Sequence, residues 1–117
     1  MITIEKLDAF GADTKEGLSR CMGMDSLYLK LVGIVSKEPK FDELKAAIEA
    51  RDLDKAFEAA HALKGVLGNL GLVPMFEAAS ELTELLRPIQ PCDYSSALQK
   101  VQNGLKQLKD LIGGQES

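Results

Sequence analysis

A chain of 117 residues is sized for one domain with a single core. It is 45% hydrophobic and 27% charged, with 5% aromatics and no tryptophan, so a globular core of Leu, Ile, Val, Ala and Met is expected, which suits helix-on-helix packing. The net charge of −4 argues against a nucleic-acid partner, Lys30 interrupts the best candidate for a membrane span, and the helix-like pattern from Thr3 to Asp8 argues against a signal peptide.

The first short helix has Thr3 as its N-cap, Ile4, Leu7 and Phe10 on one side and Gly11 as its stop. Asp13, with Glu16 three residues later, starts a second helix near Thr14 that ends around Gly23, with Leu18 and Met22 inward. These two pieces, within 1–23, are expected to cap a larger bundle. From Asp25 or Ser26, the residues Leu27, Leu31, Ile34 and Val35 share a face, and Phe41, Leu44 and Ile48 continue in nearly the same phase beyond Pro39. The spacing predicts one helix from about Asp25 to Ala50, kinked where Pro39 removes a donor; two separate helices are the alternative.

Arg51 and Asp52 make a short turn, and Asp52 caps the next helix. Leu53, Ala56, Ala60, Leu63, Leu67 and Leu70 recur at spacings of three and four and form one apolar stripe. At about 100° per residue, His61 lies roughly 150° from the centre of that stripe and therefore points outward. It is the single histidine of the chain. Asp54, Glu58, Gly65 and Gly68 share its sector, with Lys64 at the edge. A glycine inside a helix costs about 1 kcal/mol relative to alanine, so two on one exposed face call for a reason. Gly65 and Gly68 clear space beside the imidazole, and Lys64 can bring a cation to it. An exposed imidazole with open space and a nearby cation suits a histidine that carries an anion and is approached by another protein. Phe57, one turn before His61, is either core edge or an apolar contact for that partner. Asn69 either helps hold the ring or its anion, or serves the helix end.

Gly71 stops this helix, and Pro74 suits the first turn of the following one, whose inward face is Met75, Ala78, Ala79, Leu82, Leu85 and Leu86. Arg87 to Cys92 holds two prolines and is a loop. Asp93 caps the last helix, with Tyr94, Ala97, Leu98, Val101, Leu105, Leu108 and Ile112 as its stripe, Gly113 and Gly114 as its end, and fraying beyond. The expected fold is all-α: an antiparallel up-down four-helix bundle over 25–112, capped by the short N-terminal helices, with 1–117 as a single domain. Cys21 and Cys92 are far apart in sequence, lack metal-ligand spacing, and read as two reduced, partly buried thiols of a cytosolic protein.

The run His61-Ala62-Leu63-Lys64-Gly65, followed by Gly68, Asn69 and Gly71, resembles the signature of histidine-containing phosphotransfer (HPt) domains. Asp52-Leu53-Asp54-Lys55-Ala56 and Ala59-Ala60 are similar to the family's approach to its histidine, and the order of helices from about Asp25 to Ile112 is similar to its architecture. The resemblance implies a phosphorelay intermediate. His61 would accept a phosphoryl group from a receiver-domain aspartate and pass it to another receiver, with Lys64 supplying charge and Gly65 and Gly68 the space beside the ring. Phe57 and Asn69 would contact the partner. The family's usual acceptor atom is Nε2. The resemblance also implies response-regulator receiver domains or a hybrid histidine kinase as partners, a cytoplasmic monomer, and no cofactor of its own, Mg²⁺ being brought by the receiver. Three protein ligands for zinc, a nucleophilic serine or cysteine beside His61, and a nucleotide-binding glycine loop after a strand are all missing from the pattern. A carrier without kinase or ATP-binding activity is therefore expected. The reading from a different class is a helical module that binds a receiver or kinase without carrying phosphate.

Overall fold

The computed structural model describes residues 2–113, which fold into seven helices with no strand among the described residues. They are α1 (Ile4–Phe10), α2 (Thr14–Arg20), α3 (Asp25–Val35), α4 (Lys40–Glu49), α5 (Leu53–Asn69), α6 (Val73–Leu86) and α7 (Ser95–Gly113). The main packing runs through chain neighbours: α4 on α5, α5 on α6 and α6 on α7. Leu44 of α4, Leu63 and Leu67 of α5, Leu82 and Leu86 of α6 and Leu108 of α7 are essentially without solvent exposure. Each such leucine contributes about 1.5–3 kcal/mol by burial, enough to offset the weak helix propensity of the glycines in α5. The fraying expected at the C-terminus lies outside the described residues.

Local signals set the helix ends. Thr3 Oγ1 accepts from the Lys6 amide at 3.1 Å, and Asp13 Oδ1 accepts from the Glu16 amide at 3.1 Å. Gly11, at φ 105, closes α1. Asp93 Oδ1 accepts from both the amide (2.9 Å) and the hydroxyl (2.6 Å) of Ser95 just ahead of α7.

Several inward faces differ from the sequence expectation. The segment from Asp25 to Ala50 is two helices, not one kinked helix. Ser36 is the C-cap of α3, its Oγ donates back to the Gly33 carbonyl at 2.6 Å, and Pro39 is the N-cap of α4 instead of bending a continuous helix. On α3 the buried set is Tyr28, Val32 and Val35, while Ile34 is 55% exposed. The cause is Tyr28, which is fully buried and donates its hydroxyl to the Leu70 carbonyl at 2.8 Å, rotating the helix about that contact. The helix expected to run to about Gly23 ends at Arg20, and Met22, in the following turn at φ 56, is exposed rather than inward; Thr14, Gly17 and Cys21 are buried instead, with Gly17 close under Tyr28 and the Leu70 carbonyl. Leu85 on α6 is exposed, and Thr83, bonded to the Ala79 carbonyl at 2.7 Å, takes the inward place. Cys21 is buried as a free thiol, but Cys92 is exposed in the α6–α7 loop rather than partly buried.

Candidate functional site

The site is built on α5. Asp52 Oδ1 caps its start by accepting from the Lys55 amide at 3.3 Å. Its end is a Schellman motif: the Leu72 amide donates to the Leu67 carbonyl (3.0 Å) and the Gly71 amide to the Gly68 carbonyl (3.1 Å), with Gly71 left-handed at φ 68. Between these ends Ala56, Ala59, Ala60, Leu63 and Leu67 are buried, and His61 is exposed on the other side.

Two sets of neighbours flank the imidazole. On one side the Phe57 ring lies 5.8 Å from the His61 ring, tilted by 39°. The Arg87 guanidinium sits over Phe57, 5.4 Å from its centroid. Glu84 holds Arg87 through bonds from Nε (3.0 Å) and Nη2 (2.7 Å). The hydrogen bond from Arg87 is the main cause holding the Glu84 carboxyl below its ordinary range; desolvation opposes it, and the charges of Arg87, Lys64 and His61 add smaller contributions in the same direction as the bond.

On the other side an open groove is lined by Arg20, His61, Lys64, Gly65, Gly68, Asn69 and Phe76. Gly65 has nothing within 4 Å of where a Cβ would stand, so the space beside the ring is real at that position. Gly68 differs from the sequence expectation. A Cβ there would meet Cδ1 and Cε1 of Phe76 at 3.1 Å, so this glycine admits the ring of Phe76 as the groove floor. Asn69 Oδ1 accepts from Arg20 Nη1 at 3.4 Å.

The structure thus brings His61, Lys64, Gly65, Gly68 and Asn69 to one groove, and leaves Phe57 on the opposite flank of the imidazole, half-buried. Sequence reading missed Arg20, Phe76, Glu84 and Arg87. Three of these were recoverable from the α5–α6 hairpin. Residues equally far from the turn at Leu72 face each other, which pairs Gly68 with Phe76 and Phe57 with Arg87, and sets Glu84 near His61. Arg20 had no such signal, because it arrives from α2 by a long-range contact.

A family model for the Hpt domain matches residues 37–113, well over half of the chain. The chain belongs to the Hpt domain family, helical phosphotransfer domains of two-component signalling that interact with receiver domains and histidine kinases. No curated protein and no solved structure matches it significantly. Among the described residues, no helix is long and apolar enough to cross a membrane.

Proposed function

We propose that His61 is the phosphoryl acceptor of a phosphorelay intermediate that takes the group from a receiver-domain aspartate and returns it to another receiver. The observation that carries this reading is the exposed imidazole opposite the buried stripe of α5, opening on a groove where Gly65 leaves free space. A neutral imidazole has an unprotonated nitrogen whose lone pair can attack phosphorus near pH 7. The N–P bond forms as the P–O bond to the aspartyl carboxylate breaks, and the carboxylate leaves with the electron pair. No proton has to be removed from the attacking nitrogen. Such transfers depend chiefly on positioning and on charge stabilisation. Lys64 supplies positive charge beside the acceptor, and Phe57, clamped under Arg87, supports the flank of the imidazole. Mg²⁺ belongs with the receiver's carboxylates. The sequential packing of α4 to α7 supports an antiparallel up-and-down bundle capped by α1 and α2.

The test is incubation with a phosphorylated receiver domain. Label that is acid-labile and base-stable, and lost in His61→Gln, is the expected result. Label that persists in His61→Gln would remove the assignment. Receiver binding without any label would favour the phosphate-independent module.

A further inference from the structure

We propose that Arg20 is a specificity-determining residue for partner docking: it captures a carboxylate on the acidic surface of the receiver that approaches His61. This rests on the carrier reading above. Arg20 lies outside the matched family segment, on a helix that brings its charge to the site by tertiary contact. That helix is firmly seated. The Asp13 amide donates to the Gly71 carbonyl at 2.7 Å, and a Cβ on Gly17 would stand 2.6 Å from the Leu70 oxygen, so α2 lies directly on the end of α5.

Arg20 itself is poised for exchange. Its side chain is 54% exposed, with Nε on Glu16 at 3.1 Å and Nη1 on Asn69 at 3.4 Å. Nη2 makes no hydrogen bond among the described residues. An exposed i,i+4 ion pair contributes little in water, so an incoming carboxylate can replace Glu16 at small cost. The charge pattern indicates what that occupant is. The whole chain carries −4, yet the groove's own lining holds Arg20, Lys64 and His61, and the carboxylate nearest Arg20 is the exchangeable Glu16. A carboxylate on an approaching protein is complementary to Arg20 and Lys64 in this groove.

Distance separates docking from chemistry. Asn69, the residue that Arg20 touches, is eight residues beyond His61, or about 12 Å along the helix axis. Arg20 is therefore anchored about two turns along α5 from the imidazole, at the end of the groove, and is assigned to encounter and affinity. A merely structural residue would not show that division.

The experiment uses the full chain with purified receiver domains from the same proteome, charged with acetyl phosphate and Mg²⁺. Arg20→Ala is expected to raise the half-saturating receiver concentration about three- to ten-fold at low salt and less than about two-fold at 0.5 M salt. The maximal rate of label transfer stays within about two-fold, as befits a rim charge. Arg20→Lys keeps most of the affinity, and Arg20→Glu loses more than Arg20→Ala. Equal half-saturation in all variants, or a fall in maximal rate at unchanged half-saturation, overturns the proposal. Wild-type chain that takes no label defeats the carrier reading alone, and titration of unphosphorylated receivers with the same variants then still reads Arg20. Wild-type chain that binds none of the receivers overturns both.

Discussion

Gly65 and Gly68 lie three residues apart on the same side of α5, yet their surroundings assign them different work. Gly65 faces open space, whereas Gly68 receives the Phe76 ring. Gly65→Ala should therefore raise stability by up to about 1 kcal/mol through helix propensity alone. Gly65→Leu should keep that gain and sharply slow transfer, because the side chain stands where a partner must approach. Gly68→Leu must displace Phe76 and should cost about 1–3 kcal/mol as overpacking. Urea midpoints of the three variants check this, and equal stability of Gly65→Leu and Gly68→Leu would contradict the contact with Phe76. His61→Gln should stay within about 0.5 kcal/mol of wild type, since the ring is exposed and carries no packing role, while taking no phosphoryl group. The expectation that both glycines merely clear space holds at Gly65 and fails at Gly68, where the decisive partner comes from another helix.

At the scale of elements, two helix junctions carry testable features. Arg51 closes α4 in the left-handed region, at φ 60, with the Asp52 amide on the Ala47 carbonyl at 2.9 Å. A non-glycine residue in that conformation costs about 1–2 kcal/mol, partly recovered through its stiffer unfolded chain, so Arg51→Gly should stabilise by about 0.5–1 kcal/mol. Unchanged or lower thermal stability would count against the strain. Tyr28 ties α3 to the end of α5. Its hydroxyl is pushed up from 10.0 to about 12, first by burial and then by the charges of Cys21, Asp8 and Asp13. A raised folded value means that the protonated form is favoured in the native state. The contribution is complete below pH 10.0 and is lost as pH rises towards about 12. Tyr94 is raised as well, so the measurement is the difference between wild type and Tyr28→Phe, which should shrink across that window. The caps at Thr3, Asp13 and Asp52 and the stop at Gly71 were legible because each is written within a few residues. The rotation of α3 about Tyr28, the exposure of Met22 and Leu85, and the break before Pro39 were not. The rotation of α3 is decided by a neighbour distant in sequence, the Leu70 carbonyl that receives Tyr28, whereas the others turn on local bonds and dihedrals that residue spacing alone does not specify, such as Ser36 to Gly33, Thr83 to Ala79 and Met22 at φ 56.

At the scale of the whole molecule, charge is divided unevenly. The chain is acidic overall, but the groove beside His61 presents Arg20 and Lys64, and Arg87 stands across Phe57. Such a surface attracts an anionic partner by an interaction that weakens with ionic strength. The same division assigns the chemistry. On the proposed carrier reading the chain offers an acceptor nitrogen and nearby cations, and the phosphoryl donor comes already activated on the partner. With ATP and Mg²⁺ alone the protein should take no label. Mixed with a phosphorylated receiver it should be labelled through His61. Stripping Mg²⁺ from that receiver with a chelator just before mixing should abolish the transfer, because the metal neutralises the charge of the transferring group at the receiver's carboxylates. Binding measured in parallel should survive the chelator, since the contacts offered by Arg20, Lys64 and Phe76 need no metal. Transfer that proceeds at full rate after chelation would mean that this chain's own cations suffice, and would move the charge stabilisation from the receiver to Lys64 and its neighbours.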